Sequence, residues 1–404
     1  MLQISSRRIA PILGSLGALG PLSIDMYLPG LPQIAADLNV GERDVQFSLM
    51  ACFAGLMLGQ LFYGPLSDRI GRKTTIYIGL TLFIAGAIGC TIAGTAGQLA
   101  AWRFIQGLGG SIGMVISLAV VRDLYQGRAA VGLIALIMIV QGVAPVVAPL
   151  LGAAIIAVAP WRTIFAVLAL IAIACMILVV AALPETRMPE LRAVSRPLHA
   201  IHAYLQLIVS RRFIPYVATT ALAMAGFFAY LASSSFIFIS IYGLTPAAYS
   251  TLFAVNAIGL VIGAQVAPRL LGRFRPESIV RAALAVYAAV AVLLVALELN
   301  GGVPLAPFAV LLFIAIASSA FVMPLTSVMA LESFGAVSGT AAALMGAVQF
   351  GAGTLASLVV SLTANGTALP MLATIAACGL SACLMSFFAF PKVAHLLPGR
   401  EDAS

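Results

Sequence analysis

The sequence predicts an all-α membrane protein: twelve transmembrane helices in two pseudo-symmetric six-helix bundles around a central cavity. Three observations carry that expectation. Of 404 residues, 62% are hydrophobic and only 8% charged, where a soluble chain has about 25% charged. Twelve apolar segments are long enough to cross ~30 Å of hydrocarbon, which takes about 20 helical residues. One long polar stretch, 184–212, parts them six from six.

In order, the segments fall at about 9–30, 46–66, 75–94, 98–121, 130–155 and 161–183, then at about 213–236, 248–268, 278–298, 304–326, 338–361 and 368–390. The expected organisation is an N-terminal bundle over 1–183, a linker over 184–212, a C-terminal bundle over 213–391 and a tail over 392–404. Arg7 and Arg8 precede the first segment as in a signal peptide. No small-x-small site ends the run, so it reads as a retained first helix. Pro29 and Pro32 mark its outer end, before the chain turns towards Asp37, Glu42 and Asp44. The linker holds Pro184, Pro189, Pro197 and five arginines.

Orientation follows from the basic loops. An inside N-terminus puts eighteen of the 21 basic residues on one side: Arg7 and Arg8, Arg69, Arg72 and Lys73, Arg122 and Arg128, the linker arginines including Arg196, Arg269, Arg273, Arg275 and Arg281, then Lys392 and Arg400. Only Arg43 and Arg162 fall outside, and Arg103 lies within a span. The net charge of +8 is thereby read as topology-setting charge facing anionic lipid, not as a nucleic-acid surface. Arginine in place of lysine, with abundant Ala and Gly, points to a bacterium. The inner membrane is the expected location, with both termini cytoplasmic.

The five cysteines (Cys52, Cys90, Cys175, Cys378, Cys383) have no metal-ligand spacing and read as small buried hydrophobes. His199, His202 and His395 fall in loop or tail. A six-plus-six layout suggests an internal repeat of the kind secondary transporters use. "GPLSDRIGRK" (64–73) and "APRLLGRFRPE" (267–277) are corresponding loops with a shared Gly-Arg pair, and the second copy lacks the acid.

The first of these loops resembles the hallmark loop of the major facilitator superfamily, G-x-L-x-D-R-x-G-R-[KR], nearly position for position. "RFIQGLGGSIG" (103–113) resembles the fourth-helix motif of its proton-coupled members, and "GVAPVVAPLLGA" (142–153) the Gly/Pro-rich fifth-helix motif of its drug:proton antiporters. "IDMYLPGLPQIAADL" resembles the first helix of the bicyclomycin/chloramphenicol-resistance (Bcr/CflA-type) branch. The chain departs from the pattern at Ala144, where a Gly-Pro pair is usual. It departs again at Gly17, two turns before Asp25, where many multidrug relatives carry a second acid.

Two ionisable residues stand in spans. Counting from residue 9, Asp25 lies about 24 Å along the first helix at 1.5 Å per residue, roughly 6 Å short of the outer limit of a ~30 Å core. Arg103 enters the fourth span to a similar depth, about 7–8 Å. Charges are costly there and normally face a partner or a wet cavity, so Asp25 and Arg103 are expected to face each other or share a water. A carboxylate suits proton coupling because its protonation responds to burial and to a neighbouring cation.

The resemblance implies a charge relay of Asp68, Arg72 and Asp123, with Arg69, that latches the helix ends in the outward-open state. Exposed pairs worth ~0–1 kcal/mol each suit a latch that breaks every cycle. Gly64 and Gly71 are expected to allow a tight turn and close helix approach. Gly142, Pro145, Pro149 and Gly152 read as a bending or sealing element of the fifth helix. Tyr27, Phe227, Tyr230, Asn256, Met345 and Gln349 are the expected substrate-cavity residues, on helices that line the cavity in this superfamily.

The expected function is export of drugs or small amphipathic metabolites by alternating access, driven by proton influx. A proton-coupled exporter or symporter of one metabolite, such as an amino acid, keeps the same fold. A membrane-embedded enzyme or sensor would need a reactive constellation or soluble module, and neither is visible. The expectation is no cofactor beyond the proton gradient and no metal. The expected partners are a small-molecule substrate, protons and lipid, with the chain acting as a monomer.

Overall fold

The computed structural model describes residues 6–194, 197–332, 334 and 338–390. The expected tail 392–404, with Lys392, His395 and Arg400, and linker Arg196 lie outside the described residues.

Twelve helical spans are long and apolar enough to cross a membrane: Ile9–Asp37, Glu42–Ile70, Arg72–Ile92, Ala96–Leu124, Gly127–Val158, Arg162–Ala182, Ile214–Ile241, Pro246–Leu270, Pro276–Leu299, Leu305–Leu331, Ser338–Thr363 and Leu369–Phe388. Their exposed faces carry Leu, Ile, Val and Phe around the whole perimeter, as a lipid-facing surface requires. Two short helices, Pro189–Val194 and Pro197–Ile208, lie between the sixth and seventh spans.

Within the first half, the fourth span packs on the first, second and third, the first on the fifth, and the third on the sixth. The second half repeats the plan: the seventh span packs on the tenth, eleventh and twelfth, and the ninth on the tenth and twelfth. The halves meet along the second and eleventh spans and along the fifth and eighth.

The first span differs from the reading of its sequence. Pro29 and Pro32 do not end it. The first helix, Ser6–Asp25, breaks at Asp25, a 3₁₀ turn follows over Leu28–Gly30, and a second helix runs over Leu31–Asp37. Proline is tolerated in the first turn of a helix because the N–H it lacks has no partner there, and both prolines occupy such positions. The span therefore continues twelve residues beyond Asp25, at most about 18 Å of helical rise. Asp25 is thus farther from the outer surface than a helix stopping at residue 30 would put it. Asp37, at the end of the span away from the basic loops, accepts hydrogen bonds from Arg162 Nη1 at 2.6 Å and Trp161 Nε1 at 3.0 Å.

Contact between the halves is uneven along the bundle. At the end that carries residues 37–46, Gln46 Nε2 donates to Ser233 Oγ across the interface at 2.9 Å, and Ser361 Oγ donates to the Arg43 carbonyl at 3.1 Å. Halfway along, Phe53 of the second span packs on Phe228 at 4.6 Å between ring centroids, and Phe228 on Phe350 at 5.3 Å. At the opposite, basic end a cavity of about 470 Å³ opens between the second, fourth and eleventh spans.

Candidate functional site

The break in the first span explains what Arg103 does. Where a helix ends, its last carbonyls lose their intrahelical donors. Arg103 Nη1 donates to one of them, the Ser23 carbonyl, at 2.9 Å, and to Gln106 Oε1 at 2.6 Å. A cation at a helix C-terminus also meets the favourable end of the helix dipole. The guanidinium lies over the rings of Tyr27 at 4.8 Å and Phe165 at 5.6 Å, a cation–π arrangement worth up to about 2 kcal/mol per ring when desolvated. Arg103 is fully buried, yet its Nε and Nη2 have no partner, and neither does Gln106 Nε2.

The expected pairing of Asp25 with Arg103 does not form. Among the described residues the ion pairs are those of Arg72, Arg162, Arg187 and Arg192, and Asp25 belongs to none. The reason is angular. Arg103 points into the first half, where it takes the Ser23 backbone carbonyl and Gln106 Oε1 and lies over Tyr27 and Phe165. Depth places two groups at one height but says nothing of their azimuth. Asp25 instead lies near Tyr230 and Tyr249 of the second half. Gly17, the position of the missing second acid, faces the Gln141 side chain, whose amide nitrogen is 3.1 Å from where a Cβ would stand.

On the second half, near Asp25, the structure gathers three of the predicted cavity residues, Tyr230, Asn256 and Phe227. Asn256 Nδ2 donates to the Tyr230 hydroxyl at 3.2 Å, Tyr230 stacks on Phe253 at 5.6 Å, and Ser234 shares a hydrogen bond with the Tyr249 hydroxyl at 2.9 Å. Phe227 packs beside Tyr230. Asn256 Oδ1 and Ser235 Oγ are buried without a partner. Here the seventh span leaves α-helical geometry for a π-helical turn, Phe236–Ile241, a distortion that concentrates at functional sites. Met345 and Gln349 are buried on the eleventh span. Tyr27 lies inside the first half, bonded to Ser48 and packed on Phe165. None of the six lines the basic-end cavity.

The fifth-span group sits where the halves meet. A Cβ on Gly152 would collide with the Met26 carbonyl, so its absence lets the broken turn after Asp25 dock. Gly142 faces Val261 of the eighth span. The Pro149 carbonyl accepts from Ser250 Oγ of the eighth span at 3.0 Å. Pro145 and Pro149 are accommodated within one continuous helix, Gly127–Val158.

At the basic end the 64–73 loop builds a closed charge cluster. Arg72 Nη1 pairs with Asp68 at 2.9 Å and its Nε with Asp123 at 2.9 Å. Thr186 Oγ1 donates to the same Asp123 oxygen at 3.0 Å, and Arg187 stands 3.6 Å from Asp68. Arg69 is exposed. Three details correct the reading of the sequence. Arg72 is only 6% exposed, so the value for surface pairs does not apply to it. The contacts of Arg72 with Asp68 and Asp123, and those of Thr186 and Arg187 with the same acids, join the first half to the start of the linker. And the two glycines differ: Gly71 has φ +101° and packs on Glu185 and Arg192, whereas nothing lies within 4 Å of a Cβ on Gly64, which lines the cavity.

With this geometry in hand, similarity to known proteins decides the family. Residues 13–357 match the Major Facilitator Superfamily. The chain belongs to that superfamily. It is 37% identical over 366 residues to the uncharacterized MFS-type transporter YdgK of Bacillus subtilis, covering 90% of each chain. It is 31% identical to the bicyclomycin resistance protein homolog of Haemophilus influenzae over 93% of this chain and 94% of that one. It is 32% identical to the multidrug resistance protein MdtL of Escherichia coli over 65% of this chain and 66% of that one. Among solved structures, a D-xylose-proton symporter superposes with a TM-score of 0.75 at 15% identity, covering 95% of this chain and 98% of that one. The inward-open xylose transporter XylE of E. coli gives 0.73 at 15% identity, over 96% of each chain. These two show the fold. The protein is a multi-pass membrane transporter of the major facilitator superfamily, not an enzyme.

The sequence reading missed two features of this superfamily member. Glu185, in "LPETR", reaches back across 113 residues and accepts from the backbone N–H groups of Arg72 and Lys73 at 2.9 and 3.1 Å, satisfying donors at the start of the third span. Gln46 and Ser233 join the halves at the far end. The only signal for either was a polar residue near a span end, which does not name its partner.

Proposed function

We propose that this transporter exports drugs or small amphipathic metabolites across a bacterial inner membrane in exchange for protons, by alternating access. Its basic end faces the cytoplasm, as do both termini, which the distribution of basic residues supports. On that assignment the halves are sealed on the outside and a cavity is open to the cytoplasm, an inward-facing state ready to receive cargo.

One observation carries the reading. Asp25 is a buried carboxylate at a helix break, on the interface between the halves, with no hydrogen bond or ion pair among the described residues. A charge in that position is expensive, so the group is held neutral by a proton or is matched by a ligand. Either occupant displaces the other, which is exchange. The facing cluster of Tyr230, Asn256 and Ser235 offers aromatic surface and unsatisfied polar atoms to a cargo with both characters. The names of the H. influenzae and E. coli relatives support drugs as cargo.

The test is a susceptibility panel in an efflux-deficient bacterial host, comparing wild type with Asp25→Asn. Resistance to several compounds that disappears in the variant is the expected result. No resistance in either, with growth rescued by uptake of one nutrient, overturns export. Proton-driven transport intact in Asp25→Asn vesicles overturns the coupling role.

A further inference from the structure

The helix between the halves, Pro197–Ile208, presents three faces. Ala200 and Tyr204 line the basic-end cavity and Leu207 is buried. The Tyr204 hydroxyl donates to the Leu61 carbonyl of the second span at 3.1 Å. Burial, reinforced by the Asp68 charge, pushes that phenol up to about 12, so it remains a donor at any working pH. Ile201, Leu205 and Ile208 follow the i, i+4, i+7 spacing that lines one side of a helix, about a quarter turn from the buried face. All three are exposed, as is Val209. His202 and Gln206, bonded to each other at 2.9 Å, form a third, polar side, also exposed.

A helix with one side on protein, an apolar flank and a polar flank has the distribution of an element lying in a membrane interface. Its height agrees. Leu61 is five residues inside the basic-end limit of the second apolar segment, about 7–8 Å at 1.5 Å per residue, so a helix whose tyrosine reaches Leu61 runs level with the headgroup boundary. Phe62, the next residue, is exposed on the lipid-facing surface, which the apolar flank continues. Arg211 and Arg212 follow the helix and are exposed, supplying positive charge where anionic headgroups would lie. The helix also touches both the second and eleventh spans, one from each half.

We propose that residues 197–212 form a lipid-binding element. The Ile201, Leu205 and Ile208 face sits in the acyl boundary of an anionic leaflet, Arg211 and Arg212 contact lipid phosphates, and the lipid thereby holds Tyr204 at the rim of the cavity. Nitroxide labels at Leu205→Cys and Gln206→Cys test this in the full transporter, reconstituted with and without phosphatidylglycerol. The wild type, whose five cysteines are buried or half-buried, gives the background. Both substitutions are on exposed positions, and retained transport activity confirms that each labelled protein is folded. The expected result is a label at 205 that collides with oxygen and not with an aqueous nickel complex, and the reverse at 206. Phosphatidylglycerol should shift the label at 205 deeper, and Arg211→Gln with Arg212→Gln should abolish that shift. Equal aqueous access at both positions overturns the proposal. So does a label at 205 shielded from both reagents, which would mean a protein partner, or a depth indifferent to the anionic lipid.

Discussion

Two arginines of the first half are buried, and they are treated in opposite ways. Arg72 has a carboxylate on each side, and Asp68, Asp123 and the Ser67 hydroxyl take its donors. Arg103 has neutral oxygens and two aromatic faces, with Nε and Nη2 left over. A buried charge with matched partners is a fixed structural element, because removing one partner strands the other. Arg103, on the fourth span, is buried without a counter-ion among the described residues and holds the first span at Ser23, two residues before the unpaired carboxylate of Asp25. The basic end is thus the matched cluster of the two, and the break in the first span is where polar groups stay unmatched.

The largest effect expected from that contrast is at Asp25. Asp25→Asn keeps the shape and removes the ionisable group, so gradient-driven transport in vesicles should fall to the level of empty vesicles. Cargo binding, followed by equilibrium titration, should weaken and lose its dependence on pH, because asparagine stands in for the protonated carboxyl. A variant that still accumulates cargo against its gradient breaks the comparison at its functional end.

Next is the pair of arginines themselves. Arg72→Ala strands two carboxylates, and breaking a buried pair costs about 3–5 kcal/mol. Because Asp68 is part exposed, about 3 kcal/mol is expected, seen as a lowered unfolding temperature in detergent. Arg103→Met replaces an uncompensated charge with an apolar chain of similar reach, a change that is often near neutral for stability. It should leave the unfolding temperature close to that of wild type while impairing coupling. Equal destabilisation by the two variants would erase the distinction.

A smaller effect is expected where Gln46 meets Ser233, at the end of the bundle away from the basic loops. Ser233→Ala removes the acceptor of Gln46 across the interface, a hydrogen bond worth about 1 kcal/mol net. That shifts the balance between inward- and outward-facing states by roughly fivefold, since 1.4 kcal/mol is tenfold. Spin labels at Asp44→Cys and Thr363→Cys, on either side of the seam, should show the longer of two distances gaining population. An unchanged distribution would mean that the Ser361–Arg43 bond and the aromatic contacts of Phe53, Phe228 and Phe350 hold the halves together without it.

How much of this was legible in the sequence follows from the range of each signal. The spans were legible because hydropathy is local, whereas the Asp68–Arg72 pair was expected from the resemblance of residues 64–73 and forms across the turn at Gly71, between the ends of two helices. The far end of the first span was not, because Pro29 and Pro32 read as a stop when they in fact begin new helical turns. Asp25 was legible as an acid within a span, but its surroundings were not. Rise per residue gives height in the membrane, while the direction a side chain takes depends on where the helix breaks. Glu185 was invisible because its role depends on a contact made across 113 residues.

The two glycines of the 64–73 loop give the finest comparison and the smallest expected effect. Gly71 is required by its own backbone: at φ +101°, with Glu185 against it, a side chain is strained and crowded. Gly64 is not required by anything in this state, since a Cβ there meets nothing within 4 Å. Alanine is also the better helix former by about 1 kcal/mol. Gly64→Ala should therefore leave the unfolding temperature unchanged or slightly raised. Transport is the informative readout. If the rate is also unchanged, the glycine has no packing role in the cycle. If the rate falls several-fold while stability holds, Gly64 is needed in the state where the cavity it lines has closed and the eleventh span comes down upon it.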